Sequence, residues 1–231
     1  AGFENPAAEG ELQRDTAPGR ISAGDAADHR PRAGRYAVDS APGRGGRASC
    51  FTGAQGFQVT HATAEAVAEA LGISSGDVLV CSTGLIGDQL PLDKLLAGVD
   101  RAAAGLGANG DDASLAIMTT DSKPKRSVRS GDGYTVGGMA KGAGMLAPGL
   151  ATMLVVITTD VVLSAAELDI ALRAATRVSF DRLDSDGCMS TNDQVTLMAS
   201  GASAVEPDFD SCVAVLTEVC LDLAEQLQGD A

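Results

Sequence analysis

A glycine-rich loop that leads directly into an apolar strand constrains this chain more than any other part of its sequence. Residues 137–160 read GGMAKGAGMLAPGLATMLVVITTD. The β-branched run near the end of this stretch predicts a buried strand over residues 153–158. Thr152 lies just before that strand and is the first polar residue after a Pro-Gly-Leu-Ala turn. A hydroxyl is therefore expected where the chain leaves a tight turn and enters the core.

The Thr152 hydroxyl can act as a nucleophile twice. It can first attack the carbonyl carbon of Ala151 and break the chain at that peptide bond. The new N-terminal threonine then carries an α-amine with an ordinary pKa of about 8, so the amine can serve as its base near neutral pH. A buried threonine at the start of a strand also has a plain structural explanation, and both interpretations stand at this point.

Three other residues fit a site for acyl transfer, which needs oxyanion donors and a substrate clamp. Thr83 and Gly84 follow a strand predicted over residues 77–81, and a hydroxyl and a glycine N–H can both donate to a developing oxyanion. The alternative is an ordinary transition from strand to turn. Lys141 lies among small residues, where its ammonium can approach a substrate carboxylate, although it could equally be a solvated loop lysine.

Charge and composition limit the possible partners. The 231 residues carry a formal net charge of -14, which argues against nucleic acid and anionic membrane surfaces. No apolar run reaches the roughly 18 residues of a membrane span, and no signal peptide is apparent. The 5 cysteines do not occur in the closely spaced pairs typical of metal sites. With only 2 histidines, a histidine-based zinc site or a catalytic triad is not expected. We expect a cytoplasmic protein without a histidine-based zinc site.

Strand and helix signals are interspersed along the chain, which predicts a mixed α/β or α+β fold. Residues 1–47 are rich in Gly, Ala, Pro, Arg and Asp without apolar periodicity, which is typical of a flexible segment. A capping box, Ser-Ala-Ala-Glu at 164–167, predicts the start of a helix that reaches residue 178. Further helices are predicted at 60–71, 91–106, 113–118 and 210–228, strands at 77–81, 134–139 and 153–158, and a strand or helix start at 192–198.

Two motifs with other chemistries are rejected. Residues 142–147 fit the G-x-G-x-x-A pattern of a dinucleotide-binding loop, but Pro and Gly follow at once, so no helix N-terminus can hold a pyrophosphate there. The DSDG run at 184–187 is similar to a calcium loop. In that register Arg182 would take the first ligand position and would repel the cation.

Several long motifs together resemble the glutamate N-acetyltransferase (ornithine acetyltransferase) family of arginine biosynthesis. They are CSTGLIG at 81–87, IMTTDSKPK at 117–125, GGMAKGAGML at 137–146, LATML at 150–154 and STND at 190–193. The motifs occur in the family's order over roughly residues 48–231. The resemblance implies a layered, two-domain fold of the N-terminal-nucleophile type.

The same resemblance implies a reaction and an assembly. Cleavage between Ala151 and Thr152 would divide the chain into an α portion, residues 48–151, and a β portion, residues 152–231. The two portions would stay associated in a heterotetramer of two α and two β chains. The enzyme would transfer an acetyl group from N-acetylornithine to glutamate by a ping-pong mechanism that needs no metal and no bound cofactor. Whether acetyl-CoA is a further donor, as in bifunctional members, is left open by the sequence.

The resemblance also implies a role for each motif residue. Thr152 would be the nucleophile, Thr83 and Gly84 would form the oxyanion hole, and Lys141 would bind substrate together with Thr152. A threonine of the Thr-Thr-Asp step also binds substrate in the family. We choose Thr119 for this role, with Thr120 the close alternative.

This chain departs from the family at several places. Residues 1–47 lack the family's asparagine-rich signature, Cys-Met at 188–189 replaces the more usual Asp-Thr, and the sequence stops where a Glu-Gly motif should begin. We therefore expect a chain of this length to cleave itself poorly or to lack transferase activity. Two alternatives remain open, an N-terminal-nucleophile aminopeptidase and an inactive fragment of the transferase.

Overall fold

The computed structural model of the chain describes residues 36–39, 51–108, 110–144, 146–147, 150–151, 153–188 and 193–231. Helices and strands are interspersed along these residues, which confirms the predicted mixed class. No helix in this part of the chain has the length and apolar character needed to cross a membrane.

Strands and helices are numbered separately in chain order. The strands are β1 Tyr36–Asp39, β2 Leu79–Ser82, β3 Lys125–Ser130, β4 Thr135–Lys141, β5 Leu146–Ala147, β6 Leu150–Ala151, β7 Leu154–Thr159 and β8 Gln194–Ala199. The helices are α1 Gly53–Leu71, α2 Leu92–Ala104, α3 Gly110–Ala116, α4 Ala165–Val178 and α5 Phe209–Gln228, with 3-10 turns at Ser75–Asp77 and Phe180–Arg182.

A four-stranded sheet organises the larger part of the fold. Its strand order is β3-β4-β7-β8, with antiparallel pairs on either side of β4 and a parallel pair between β7 and β8. Helices α4 and α5 pack against one face of this sheet. The core between them is formed by aliphatic side chains, among them Val136, Val155, Ile157, Leu168, Leu216 and Leu223.

A smaller unit is formed by β1, β2, α1 and α2. Strands β1 and β2 pair in parallel, and Val67, Ala68 and Val78 form a second, smaller core. Only the backbone of β1 is described. This strand lies inside the segment 1–47 that was predicted to be flexible, and the remainder of that segment lies outside the described residues.

The two helices on the large sheet begin where the sequence indicates. The predicted capping box is confirmed, because the Ser164 hydroxyl accepts from the Glu167 N–H at 3.3 Å and the Ser164 N–H donates to the Glu167 carboxylate at 2.7 Å. Asp208 caps α5 by accepting from the Ser211 N–H at 2.9 Å. Both caps satisfy backbone donors that a helix start leaves without intrahelical partners.

Helix α1 and strand β3 differ from the prediction, and the short strands β1, β5 and β6 were not predicted either. Helix α1 begins at Gly53 rather than at residue 60, because Gly56, Val59 and Thr63 are buried at helical spacing on the face that continues to Val67. Strand β3 was not predicted, since its Lys-Arg-Ser-Val-Arg-Ser sequence shows little apolar alternation. Residues 192–198, which fit either state, form a strand from Gln194 onward.

The predicted cleavage step lies at the end of a short hairpin. Strands β5 and β6 pair antiparallel through Leu146 with Ala151 and Ala147 with Leu150, so the chain reverses direction between Ala147 and Leu150. Thr152, the predicted nucleophile, lies outside the described residues. The chain is described again from Met153, immediately before β7.

Candidate functional site

Lys141 is the last residue of β4 and is almost completely buried. Its relative exposure is 1%, so it is not a solvated loop lysine. In the sheet register Lys141 pairs with Leu154 of β7. That residue is two positions beyond Thr152 in the sequence. The register therefore brings the predicted substrate lysine beside the strand that the predicted nucleophile leads into.

One carboxylate, that of Asp121, connects Lys141 to its surroundings. Its Oδ1 accepts hydrogen bonds from Lys125 Nζ at 2.7 Å and from the Gly142 N–H at 2.6 Å. Its Oδ2 accepts from the Thr119 N–H at 3.1 Å and lies 3.5 Å from Lys141 Nζ. Asp121 thus contacts both Thr119 and Lys141, two residues that were predicted separately as substrate contacts.

Lys125, the first residue of β3, is a second buried lysine in the same place. Its ammonium lies 2.7 Å from Asp121 and 2.5 Å from Asp230, and its exposure is 0%. Asp230 is also bonded by the N–H and the hydroxyl of Ser122. Residues Asp121, Lys125, Lys141 and Asp230 are called the Asp121 cluster below. Two cations and two anions balance within it, as burial of charge requires.

The cluster changes the protonation equilibria of its members. Burial alone would raise the pKa of Asp121, but the Gly142 N–H and the Lys125 ammonium outweigh it and hold that pKa below its ordinary value. The pKa of Asp230 is lowered to about 2, because its bonds from Lys125 and Ser122 outweigh the effect of burial. For Lys141 burial prevails and lowers the pKa, while Asp121 acts in the opposite direction.

Thr83 and Gly84 follow β2 directly, where the sequence predicts oxyanion donors. The Thr83 hydroxyl is buried and has no hydrogen-bond partner among the described residues. Such a group costs about 1–3 kcal/mol when it is left unsatisfied, so an unpaired buried hydroxyl in a native fold calls for an explanation. Gly84 has a φ of 133°, a conformation that side-chain-bearing residues rarely adopt. The bonds that hold the Asp121 cluster do not include either residue.

The residue after Thr152 is fixed through both of its backbone groups. The Met153 N–H donates to Asp193 Oδ1 at 2.9 Å, and the Met153 carbonyl accepts from the Gln194 N–H at 2.9 Å. The negative charge of Asp193 also opposes the lowering of the Lys141 pKa by burial. The STND motif therefore ends in a carboxylate that holds the start of β7 within electrostatic reach of Lys141.

The two threonines of the Thr-Thr-Asp step differ in their surroundings. Thr119 is half-buried and donates its N–H to the Asp121 cluster, whereas Thr120 is exposed. Sequence reasoning missed Asp121, Lys125 and Asp230 altogether. The available signal was a charged TTDSKPK run next to apolar elements, but nothing local indicates that Lys125 is buried.

The residues of the rejected calcium-loop motif form hydrogen bonds within their own turn. Asp184 accepts from the Gly187 N–H at 3.1 Å, and Asp186 accepts from the Cys188 N–H at 3.0 Å. Across the part of the chain that the structure describes, no group of three or more His, Cys, Asp or Glu side chains could hold a metal ion.

Comparisons with known proteins agree on one family. The family model described as "ArgJ family" matches residues 43–231. The "Arginine biosynthesis bifunctional protein ArgJ" of Streptomyces coelicolor is 62% identical over 187 residues, which is 80% of this chain and 49% of that protein. The protein of the same name from Mycobacterium leprae is 57% identical over 199 residues, 80% of this chain and 48% of its own length.

Two solved structures are also similar. The ornithine acetyltransferase of Mycobacterium tuberculosis, in complex with ornithine, is 54% identical with a TM-score of 0.43, covering 45% of this chain and 58% of that one. The ArgJ protein of Bacillus halodurans is 31% identical with a TM-score of 0.41, covering 52% and 60%.

The chain spans about half the length of the curated relatives it matches. Within that span the family model covers every residue of the Asp121 cluster, together with Thr83, Gly84 and the Ala151–Thr152 step. The identity to these relatives over the matched region is 62% and 57%. This chain belongs to the ArgJ family of arginine biosynthesis proteins.

Proposed function

We propose that the protein carrying this chain transfers an acetyl group from N-acetylornithine to glutamate through an acetyl-threonine intermediate. Family membership supplies the class of reaction. The observation that supports its assignment to this site is the buried Thr83 hydroxyl, which has no hydrogen-bond partner among the described residues. An oxyanion hole needs a donor that no other protein group already engages.

The first step is cleavage of the chain itself. The Thr152 hydroxyl attacks the carbonyl carbon of Ala151, the peptide C–N bond breaks, and the hydroxyl proton passes to the departing nitrogen. The resulting ester is hydrolysed by water, which leaves an Ala151 carboxylate, a free Thr152 hydroxyl and a free Thr152 α-amine. The anchoring of Met153 by Asp193 and Gln194 supports this step, because it holds one side of the reacting peptide still.

The second step is acetyl transfer in two halves. The Thr152 oxygen attacks the acetyl carbonyl of N-acetylornithine, its proton passes through the Thr152 α-amine to the ornithine nitrogen, and ornithine leaves. The α-amine of glutamate then attacks the acetyl-threonine ester, N-acetylglutamate departs, and the proton returns to the Thr152 oxygen. Thr83 and Gly84 donate to the carbonyl oxygen while it carries negative charge.

Substrate positioning falls to Lys141 and Thr119. Both substrates are amino acid derivatives with an α-carboxylate, which an ammonium in a largely dry site can bind strongly. Lys141 is suited to this role, since its ammonium lies 3.5 Å from Asp121, beyond the roughly 2.7–2.9 Å of a close charge-assisted hydrogen bond.

The two portions of the cleaved chain are expected to stay in one assembly. The α portion, residues 48–151, and the β portion, residues 152–231, remain associated through the sheet, because β4 lies before the cleavage step and β7 lies after it. Two such pairs form a heterotetramer in the cytoplasm. Acetyl-CoA is a second donor in keeping with the bifunctional name of the relatives.

Intact-mass spectrometry under denaturing conditions tests the first step. The gene product that carries this sequence should give two masses, one of them a chain that begins Thr-Met-Leu-Val, and Thr152→Ala should give a single uncleaved mass. A single mass from the unsubstituted protein would contradict the mechanism.

A second assay separates acetyl transfer from peptide hydrolysis. A transferase releases ornithine from N-acetylornithine in proportion to the glutamate supplied, whereas an aminopeptidase of the same cleavage chemistry hydrolyses peptides without an acceptor. The ping-pong mechanism itself releases one equivalent of ornithine per enzyme without an acceptor. Sustained release beyond that equivalent in the absence of glutamate would overturn the transferase assignment.

A further inference from the structure

We propose that Asp121 is a positioning residue for substrate binding, which holds the Lys141 ammonium as its counter-ion and fixes it relative to Thr119. This inference rests on the proposed function, because it assumes that Lys141 binds the substrate carboxylate. It assigns a role to a residue that neither reacts nor touches substrate itself.

The contacts of Asp121 are those of a residue that organises its neighbours. Both of its oxygens are used, by a lysine and a backbone N–H on Oδ1 and by a backbone N–H and a lysine on Oδ2. The side chain itself is completely buried. Because four groups from two segments of the chain, residues 119–125 and 141–142, contact one carboxylate, its position is fixed from both segments.

The two buried lysines of the cluster have different tasks. Lys125 contacts two carboxylates, at 2.7 Å and 2.5 Å, so its charge is already neutralised within the protein. Lys141 has Asp121 as its ion-pair partner, and the separation is 3.5 Å. A substrate carboxylate can therefore approach Lys141 without displacing a tight internal bond, which it could not do at Lys125.

Asp121 is also needed to keep Lys141 charged. Burial lowers the pKa of Lys141, and the charge of Lys125 on β3 lowers it further. Two groups oppose this, Asp121 in the turn before β3 and Asp193 in the turn before β8, and Asp121 has the larger effect. Without Asp121 the pKa of Lys141 falls and the lysine loses its proton more readily, so it loses its attraction for a carboxylate.

The substitution that tests this is Asp121→Asn, which keeps the shape and removes the charge. We expect the KM for N-acetylornithine to rise about tenfold or more near neutral pH, with kcat changed far less, since the reacting groups stay in place. We also expect that KM to fall as the pH is lowered from about 9 to about 6, because acid restores the proton to Lys141. A residue with a purely structural role would not produce this pH dependence.

Asp222→Asn is the matched control, because Asp222 is a carboxylate that also accepts from β3, from the Ser127 hydroxyl at 2.7 Å and from Arg129 at 2.9 Å, but lies outside the Asp121 cluster. It should lower the melting temperature but leave the KM near that of the unsubstituted enzyme. If Asp121→Asn alone does not fold, the double variant Asp121→Asn with Lys125→Met restores the charge balance of the cluster. The double variant should regain folding and self-cleavage and still show the raised, pH-dependent KM.

The outcomes separate this inference from the proposed function. An unchanged KM in the Asp121 variants, or an equal rise in KM for Asp222→Asn, would overturn the role of Asp121 and leave the transferase assignment intact. Absence of self-cleavage and of ornithine release in the unsubstituted enzyme would overturn both.

Discussion

At the scale of single residues, the buried hydroxyl of Thr83 gives the most direct test of the site. Thr83→Val replaces the hydroxyl by a methyl group of similar size. The hydroxyl has no partner among the described residues, so we expect the free energy of unfolding to stay the same or to rise slightly. We expect kcat for acetyl transfer to fall by about 10²–10³-fold, the usual effect of removing one oxyanion donor. Thermal melting and steady-state kinetics on the same preparation measure both.

Thr63 supplies a matched control for this experiment. It is also a buried threonine, but its hydroxyl donates to the Val59 carbonyl at 2.8 Å within α1. Thr63→Val should therefore lower the free energy of unfolding by about 0.5–1.5 kcal/mol and leave kcat unaltered. If Thr83→Val instead lost stability and activity together, its hydroxyl would have a structural role and the oxyanion assignment would fail.

At the scale of elements, close packing between α5 and the centre of the sheet depends on a glycine of β4. A Cβ added at Gly138 would lie 3.0 Å from Leu223 Cδ1 of α5 and 3.3 Å from Ile157 Cγ1 of β7. Gly138→Ala should therefore lower the free energy of unfolding by about 1–3 kcal/mol, the usual cost of overpacking. Denaturant unfolding followed by circular dichroism measures this change.

The neighbouring glycine on the same strand is the control for that prediction. A Cβ at Gly137 would point to the other face of the sheet and meet only Val128 Cγ2, at the ordinary contact distance of 3.7 Å. Gly137→Ala should be tolerated. Equal losses of stability at the two positions would mean that backbone freedom, rather than contact with α5, explains the glycine at Gly138.

At the scale of the whole molecule, sequence reasoning succeeded where the signal was local. The capping box at Ser164 and the β-branched run of β7 specify their elements without help from distant residues. Strand β3 was not predicted because its buried Lys125 does not look like a core residue in the sequence. The carboxylates that neutralise Lys125 in the fold include Asp230, which is 105 positions away. That the Thr83 hydroxyl lacks a partner in the described part of the chain likewise cannot be read from the sequence, since only the folded chain shows what surrounds it.

Buried and capping carboxylates distributed over the molecule also determine how it responds to acid. Among the residues that the structure describes, the folded pKa of five carboxyl groups lies below the ordinary value, because in each the bonds to the charged form outweigh burial. They are Asp121, Glu167, Asp208, Asp222 and Asp230. A carboxyl group of this kind contributes stability that is complete above its ordinary pKa of about 4 and is lost as the pH falls through the folded pKa.

We therefore expect the melting temperature to be nearly constant from neutral pH to about pH 5 and to fall steeply below about pH 4. Asp230, whose folded pKa is about 2, should account for part of that fall. Asp230→Asn should lower stability near neutral pH and flatten the acid limb, while Asp100→Asn on the exposed side of α2 should do neither. Calorimetric scans from pH 7 to pH 2 measure these curves. A melting temperature that stays level down to pH 2, or an acid limb unchanged by Asp230→Asn, would mean that the Asp121 cluster does not couple protonation to folding.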